Sequence, residues 1–265
     1  MKVELWRQRN LVFAGDTRAD QEHKAVAHLT QALTTVDERE LITSVWFIRK
    51  EGAWRVRYRL AEPSTNAQDD PVHRIVTRGL EWTPDVYEPE THPFGGPESM
   101  RIAHELFHRD SRHLLPYLVN DPGDRREHSL VLCTALMRAA GLDFNEQGDV
   151  WGQVLTDYRA AVKTESVSPE TWAAFTRQAA HLLRGNARPE LIDSGWIAAF
   201  TDAGSALKVL RARGILTRGL RAVIALHIIF HWNRLGLDAP AQAHLARAAK
   251  EAILGGAEDG AIVPA

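Results

Sequence analysis

The spacing of apolar and polar positions changes character along the chain, and it separates two kinds of structure. Leu11-Val12-Phe13 reads as a strand, and residues 20–33 read as a helix with Ala25, Leu29 and Leu33 on one face. Residues 41–50 and 53–60 are rich in β-branched and aromatic side chains, and Glu51-Gly52 between them predicts a hairpin. A polar loop over 64–70, a short helix over 71–77 and a fourth strand over 80–88 complete the order β-α-β-β-α-β. That order predicts a ferredoxin-like half with an antiparallel sheet.

After Gly96 the pattern turns helical, with segments over 97–118, 127–140, 148–162, 169–183, 189–200, 203–213, 216–234 and 240–253. Turn signals at Asp121-Pro122-Gly123, Gly185-Asn186 and Gly236 separate them, and Ser168 before Pro169 is placed to cap a helix. Residues 255–265 are small and weakly patterned, so fraying is expected there. The expectation is an α+β chain: a sheet half over 1–96, a helical half over 97–265, integrated as one domain.

Composition narrows the partners. With 265 residues, 45% of them hydrophobic, the chain is long enough to bury a substantial core. Its 32 basic and 34 acidic residues are interleaved for a formal charge of -2, which argues against nucleic acid or an anionic membrane as direct partners. Charged residues in Met1-Lys2-Val3-Glu4 and the lack of any bilayer-length apolar run predict a cytoplasmic protein. Cys133 is the only cysteine, so an intramolecular disulfide and a cysteine-cluster zinc site are excluded.

Four groups of residues carry candidate chemistry. Arg55, Arg57 and Arg59 alternate with Trp54, Val56, Tyr58 and Leu60, so period-two geometry sends three guanidiniums to one sheet face, where carboxylates or a developing enolate find donors. Glu88 and Glu90 stand two apart at the expected end of the fourth strand, with Tyr87 pointing the other way. His227, His231 and Arg234 form a polar stripe on an otherwise apolar helix. His104-Glu105-Leu106-Phe107-His108 fits H-E-x-x-H, which places two histidines on one helix face beside a glutamate, with Glu127 as the better third ligand for zinc. A solvated sheet face, surface carboxylates and core histidines are the structural readings of the same residues.

Several separated segments carry a family resemblance. Residues 6–13, Trp46-Phe47-Ile48-Arg49-Lys50 with Trp54-Arg55-Val56-Arg57, Tyr87-Glu88-Pro89-Glu90 with Phe94-Gly95-Gly96, residues 100–111 ending in Asp110-Ser111, and His231-Trp232-Asn233-Arg234-Leu235 resemble the glutamate-elimination domain of lantibiotic dehydratases. The resemblance extends to the free-standing thiopeptide-type biosynthesis proteins. It implies a ribosomally made precursor peptide as partner and loss of glutamate from glutamylated Ser or Thr to give dehydroalanine or dehydrobutyrine. No metal or other cofactor is implied. Glutamylation then falls to a separate tRNA-dependent subunit.

The implied catalytic residues are Arg57, His231 and Glu90, with Arg55, Arg49, Tyr87, Asn233 and Arg234 binding substrate. One position departs from the pattern, because Pro93 stands where elimination domains carry an arginine before the aromatic-Gly-Gly element. That departure keeps open a pyridine-synthase branch, which joins two dehydroalanines in a formal [4+2] aza-cycloaddition and expels the leader. Zinc peptidase and non-catalytic peptide-binding readings also remain.

Overall fold

The alternation read in the arginine-bearing strand is realised in space. A computed structural model describes residues 6–62, 70–120, 123–163, 167–186 and 192–255. Strands β1 (Arg7–Val12), β2 (Ile42–Lys50), β3 (Ala53–Leu60) and β4 (Glu81–Asp85) pair antiparallel in the order β2-β3-β1-β4. Helix α1 (Arg18–Glu38) follows β1, and α2 (Pro71–Val76) precedes β4. This is the expected βαββαβ arrangement.

Local chemistry sets these boundaries. Thr17 accepts from the backbone of Asp20 to open α1, and Asp70 accepts from the backbone of His73 ahead of Pro71 to open α2. Glu51 and Gly52 have φ of 55° and 78°, so both turn residues between β2 and β3 are left-handed, as a tight hairpin requires. The polar loop expected over 64–70 lies, apart from Asp70, outside the described residues.

The chain divides into two compact units, one of residues 1–89 with 104–123 and one of residues 90–103 with 124–265. The expectation places a single boundary after Gly96, whereas helix α3 (Pro97–Asn120) is shared, its residues from His104 onward counting with the sheet. The reason is edge cover. His108 Nδ1 and Ser111 Oγ accept from the backbone N–H groups of Val45 and Phe47 at 3.1 and 3.3 Å, satisfying donors on the outer edge of β2.

The second unit is helical: α4 (Arg125–Ala139), α5 (Phe144–Tyr158), α6 (Pro169–His181), α7 (Ser194–Ala212), α8 (Leu220–Leu235) and α9 (Ala239–Leu254). α8 is buried nearly all round, and Trp232 on it stacks on Trp151 of α5 at 5.8 Å. Ser168 caps α6 as expected, Gly236 ends α8 with φ of 83°, and Cys133 is buried in α4. Among the described residues no helix is long and apolar enough to cross a membrane.

Several boundaries differ from the sequence reading. β1 starts at Arg7 because its opening residues are polar yet committed to hydrogen bonds, with Gln8 and Arg9 both buried. β4 ends at Asp85, short of Glu88. The segments expected over 189–200 and 203–213 form one helix from Ser194, with residues 189–191 outside the described residues. Its Gly204 is there for close packing, since a Cβ would lie 2.3 Å from the Leu136 carbonyl oxygen of α4. Residues 121–122 and 256–265 are likewise outside the described residues.

Candidate active site on the arginine face

Strand pairing decides which side chains share the arginine face. Opposite Arg57 stand Trp46 on β2 and Gln8 on β1, and opposite Arg55 stand Ile48 and Asn10. Side chains directly opposite one another in an antiparallel pair share a face. Arg57 is buried, its guanidinium 4.4 Å from the ring centroids of both Trp46 and Tyr87, and its Nε donates to Gln8 Oε1 at 2.6 Å. Gln8 in turn donates to Asp85 Oδ2 at 2.7 Å. Held against two nearly perpendicular rings and bonded through Nε, the guanidinium keeps few orientations, so its charge is aimed.

His104 of α3 completes the cluster. Its ring lies 4.7 Å from that of Trp6, and its Nε2 shares a 2.8 Å hydrogen bond with the Tyr87 hydroxyl. Arg59 lies 5.0 Å over the Trp6 ring. Burial, then the charges of Arg59 and Arg57, hold the His104 pKa down at about 4, so the imidazole is neutral at physiological pH. A neutral imidazole bonded to a phenol beside two guanidiniums can move a proton where negative charge develops.

The residues expected to form the site separate into groups. Arg57 and Tyr87 meet. Arg55 lies on the same face and pairs with Glu51 at 2.8 Å. Arg49 does not join them, because it stands opposite Trp54 on the helix-covered face, stacks on that indole at 4.2 Å and pairs with Glu22 of α1.

Glu90 is exposed and follows the end of β4, so it shares no strand face with Glu88, and its carbonyl accepts from the backbone of Phe94 at 3.0 Å. Glu90, His231, Asn233 and Arg234 belong to the second unit. There His231 is buried against Phe200 at 5.0 Å, Asn233 accepts from Gln242 at 3.1 Å, and Arg234 is fully buried. His227, also buried, has its pKa pushed down to about 3 by desolvation and by Arg234.

In the sequence His104 stands in the H-E-x-x-H match, which points to a metal, and in the resembling segment 100–111, which gives it no role; neither couples it to the arginine face. The structure uses the two histidines separately, His104 bonding Tyr87 and His108 bonding the edge of β2. Glu127 accepts from Gln178 in the second unit. Among the described residues no three His, Cys, Asp or Glu side chains are grouped to hold a metal ion.

The family model for the C-terminal part of the lantibiotic biosynthesis dehydratase matches residues 6–253. The chain belongs to that family. A lantibiotic dehydratase C-terminal chain takes part in the maturation of ribosomally synthesised peptides, and the family is one of modifying enzymes. No curated protein matches it.

Three solved structures share the fold. One is the tRNA-dependent lantibiotic dehydratase MibB from Microbispora sp. 107891, with a TM-score of 0.63 and 17% identity over 94% of this chain. This chain spans 28% of the length of MibB. TsrL aligns with a TM-score of 0.62 and 14% identity over 95% of this chain and 99% of its own. The pyridine synthase TbtD, from thiomuracin biosynthesis, aligns at 0.62 and 13% over 94% of this chain and 97% of its own.

Proposed function

We propose that the arginine face is an elimination site, at which glutamate leaves a glutamylated Ser or Thr of a ribosomally made precursor peptide. The observation that carries this reading is His104, kept neutral 2.8 Å from the Tyr87 hydroxyl and beside Arg57 and Arg59. Elimination requires a base for the Cα proton, donors for the enolate and a cation for the departing carboxylate. The Tyr87 oxygen takes the Cα proton as its own proton passes to His104 Nε2. The electron pair then forms the Cα=Cβ bond as the Cβ–O bond breaks, and glutamate leaves as a carboxylate toward the guanidiniums. His104 returns its proton through Tyr87 to solvent.

The low basicity of free His104 belongs to this scheme. Burial, and after it the charges of Arg59 and Arg57, disfavour a proton on the ring, and an enolate or carboxylate seated on the guanidiniums offsets their share of that penalty. The base therefore strengthens when substrate is in place. The proton task expected of His231 passes to His104, and Arg55 serves the outer part of the anion site. The scheme uses no metal or organic cofactor. Glutamylation is the work of a separate subunit, in keeping with a likeness to part of a tRNA-dependent dehydratase.

Pro93 favours a second reading, pyridine synthesis, because a proline offers no cation at the position before Phe94-Gly95-Gly96. The two readings differ in the charge released. A departing glutamate is an anion, which suits the paired guanidiniums, whereas joining two neutral dehydroalanines releases none.

Mass spectrometry after incubation with a glutamylated precursor peptide decides between them. Glutamate loss with dehydroamino acids is the expected result. A macrocycle with leader release from a dehydrated peptide places the chain with the pyridine synthases, and no change in either assay leaves peptide binding as its role. Arg57→Ala lowers kcat by about 10²–10³-fold with the circular dichroism spectrum retained. Full activity in that variant removes Arg57 from the site.

A further inference from the structure

On the helix-covered side of the sheet unit, α1 and α2 border a groove of about 630 Å³ that the elimination scheme does not use. Arg39, Arg74 and Arg78 line it with Gln31, Thr35 and His28, and among the described residues no carboxylate lines it. Arg39 follows the last turn of α1, and Arg74 and Arg78 stand four apart across the end of α2. All three arginines are exposed. Three cations around one concavity, with amide and hydroxyl groups between them and Ala32 and Ile75 as apolar floor, match an extended anion with some apolar surface.

We infer that this groove binds an acidic segment of the peptide substrate, away from the residues that react. The inference rests on the reading that this protein modifies a peptide. Carboxylates fit better than a nucleic acid, because base stacking needs free aromatic faces. Among the described residues the one ring lining the groove is that of His28, which is engaged by the Val76 carbonyl at 2.8 Å and by the edge of Phe13. The formal charge of the chain, -2, also opposes a long polyanion while leaving a local cationic groove open to a short one.

Fluorescence anisotropy of labelled hexaglutamate with the full chain tests the inference. The expected result is binding that weakens with added salt, and that falls about tenfold in the Arg39→Glu/Arg78→Glu variant. Reversing two exposed arginines of the other unit, Arg211→Glu/Arg213→Glu, leaves binding unchanged. No binding by the wild type overturns the inference, as does equal loss in both double variants or tighter binding of a labelled hexauridylate that the groove variant abolishes.

Glutamate release from the glutamylated precursor is followed in the same preparations. The groove variant raises KM and keeps kcat, and a fall in kcat alone overturns the assignment. Absence of release in every protein defeats the elimination reading and leaves the hexaglutamate result standing, so the two failures are distinguishable.

Discussion

Arg57 and Tyr58 are neighbours on β3, point to opposite faces and meet opposite electrostatic designs. Under the helices Asp70 gathers its surroundings: Tyr58 donates to it at 2.6 Å, and Arg7 and Arg9 approach at 3.3 and 3.4 Å. Burial and this carboxylate push the Tyr58 pKa far up, so the hydroxyl remains a donor. On the other face the charges acting on His104 are both positive. A matched network holds structure and has little left for a ligand, whereas a titratable ring pressed by two guanidiniums is relieved when an anion arrives.

Removing the hub of the matched face is the severest test of this contrast. Asp70→Ala leaves two largely buried guanidiniums and the Tyr58 hydroxyl without their shared acceptor and uncaps α2. Breaking a buried pair from one side costs about 3–5 kcal/mol, which urea denaturation will register. Turnover per folded molecule stays near the wild-type value. Loss of turnover at unchanged stability would mean that Asp70 serves the reaction and that the two faces are not separate in role.

The second test uses protons on the arginine face. In the fold the His104 pKa is about 4, below its ordinary value of 6.5. Between those values the unfolded chain binds more protons, so the neutral ring carries no penalty above pH 6.5. Stability is then lost as pH falls toward 4, by on the order of 3 kcal/mol in all. His104→Gln flattens this part of the stability profile.

His227 contributes with the same sign in both proteins and cancels from their difference. An NMR titration supplies the complementary reading: added glutamate, seated on Arg57 and Arg59, raises the His104 pKa. A ring that titrates near 6.5 with or without glutamate would contradict the cluster.

Much of this contrast was legible in the chain. Strict alternation over 53–60 separates arginines from core residues without any knowledge of the fold, and the order of elements names the sheet. The side taken by Arg49 was also available, since a two-residue turn at Glu51-Gly52 sets Arg49 opposite Trp54 and away from Arg57. The start of β1 was hidden because Gln8, Arg9 and Asn10 look like surface residues while two of them are buried in hydrogen-bond networks. His104 was hidden for another reason. Its partners are Trp6 just before β1, Arg57 and Arg59 on β3 and Tyr87 after β4, a meeting that only tertiary packing creates, and a local spacing rule paired it with His108 instead.

The mildest test should not discriminate between the faces at all. Ser111 accepts from the buried N–H of Phe47, and His108 accepts from that of Val45, so α3 holds the edge of β2 at two alternate residues. Trp46, between them, stacks on Arg57, while Phe47 packs on Trp54 on the opposite face. Ser111→Ala leaves one buried donor unsatisfied at a cost of about 1–2 kcal/mol, and hydrogen exchange at the Phe47 amide rises. Because the substitution loosens the strand and touches neither cluster, the urea midpoint shifts slightly while kcat and the His104 titration hold. A change confined to the His104 titration would show that the edge contact sets the geometry of the arginine face and does more than cover a strand.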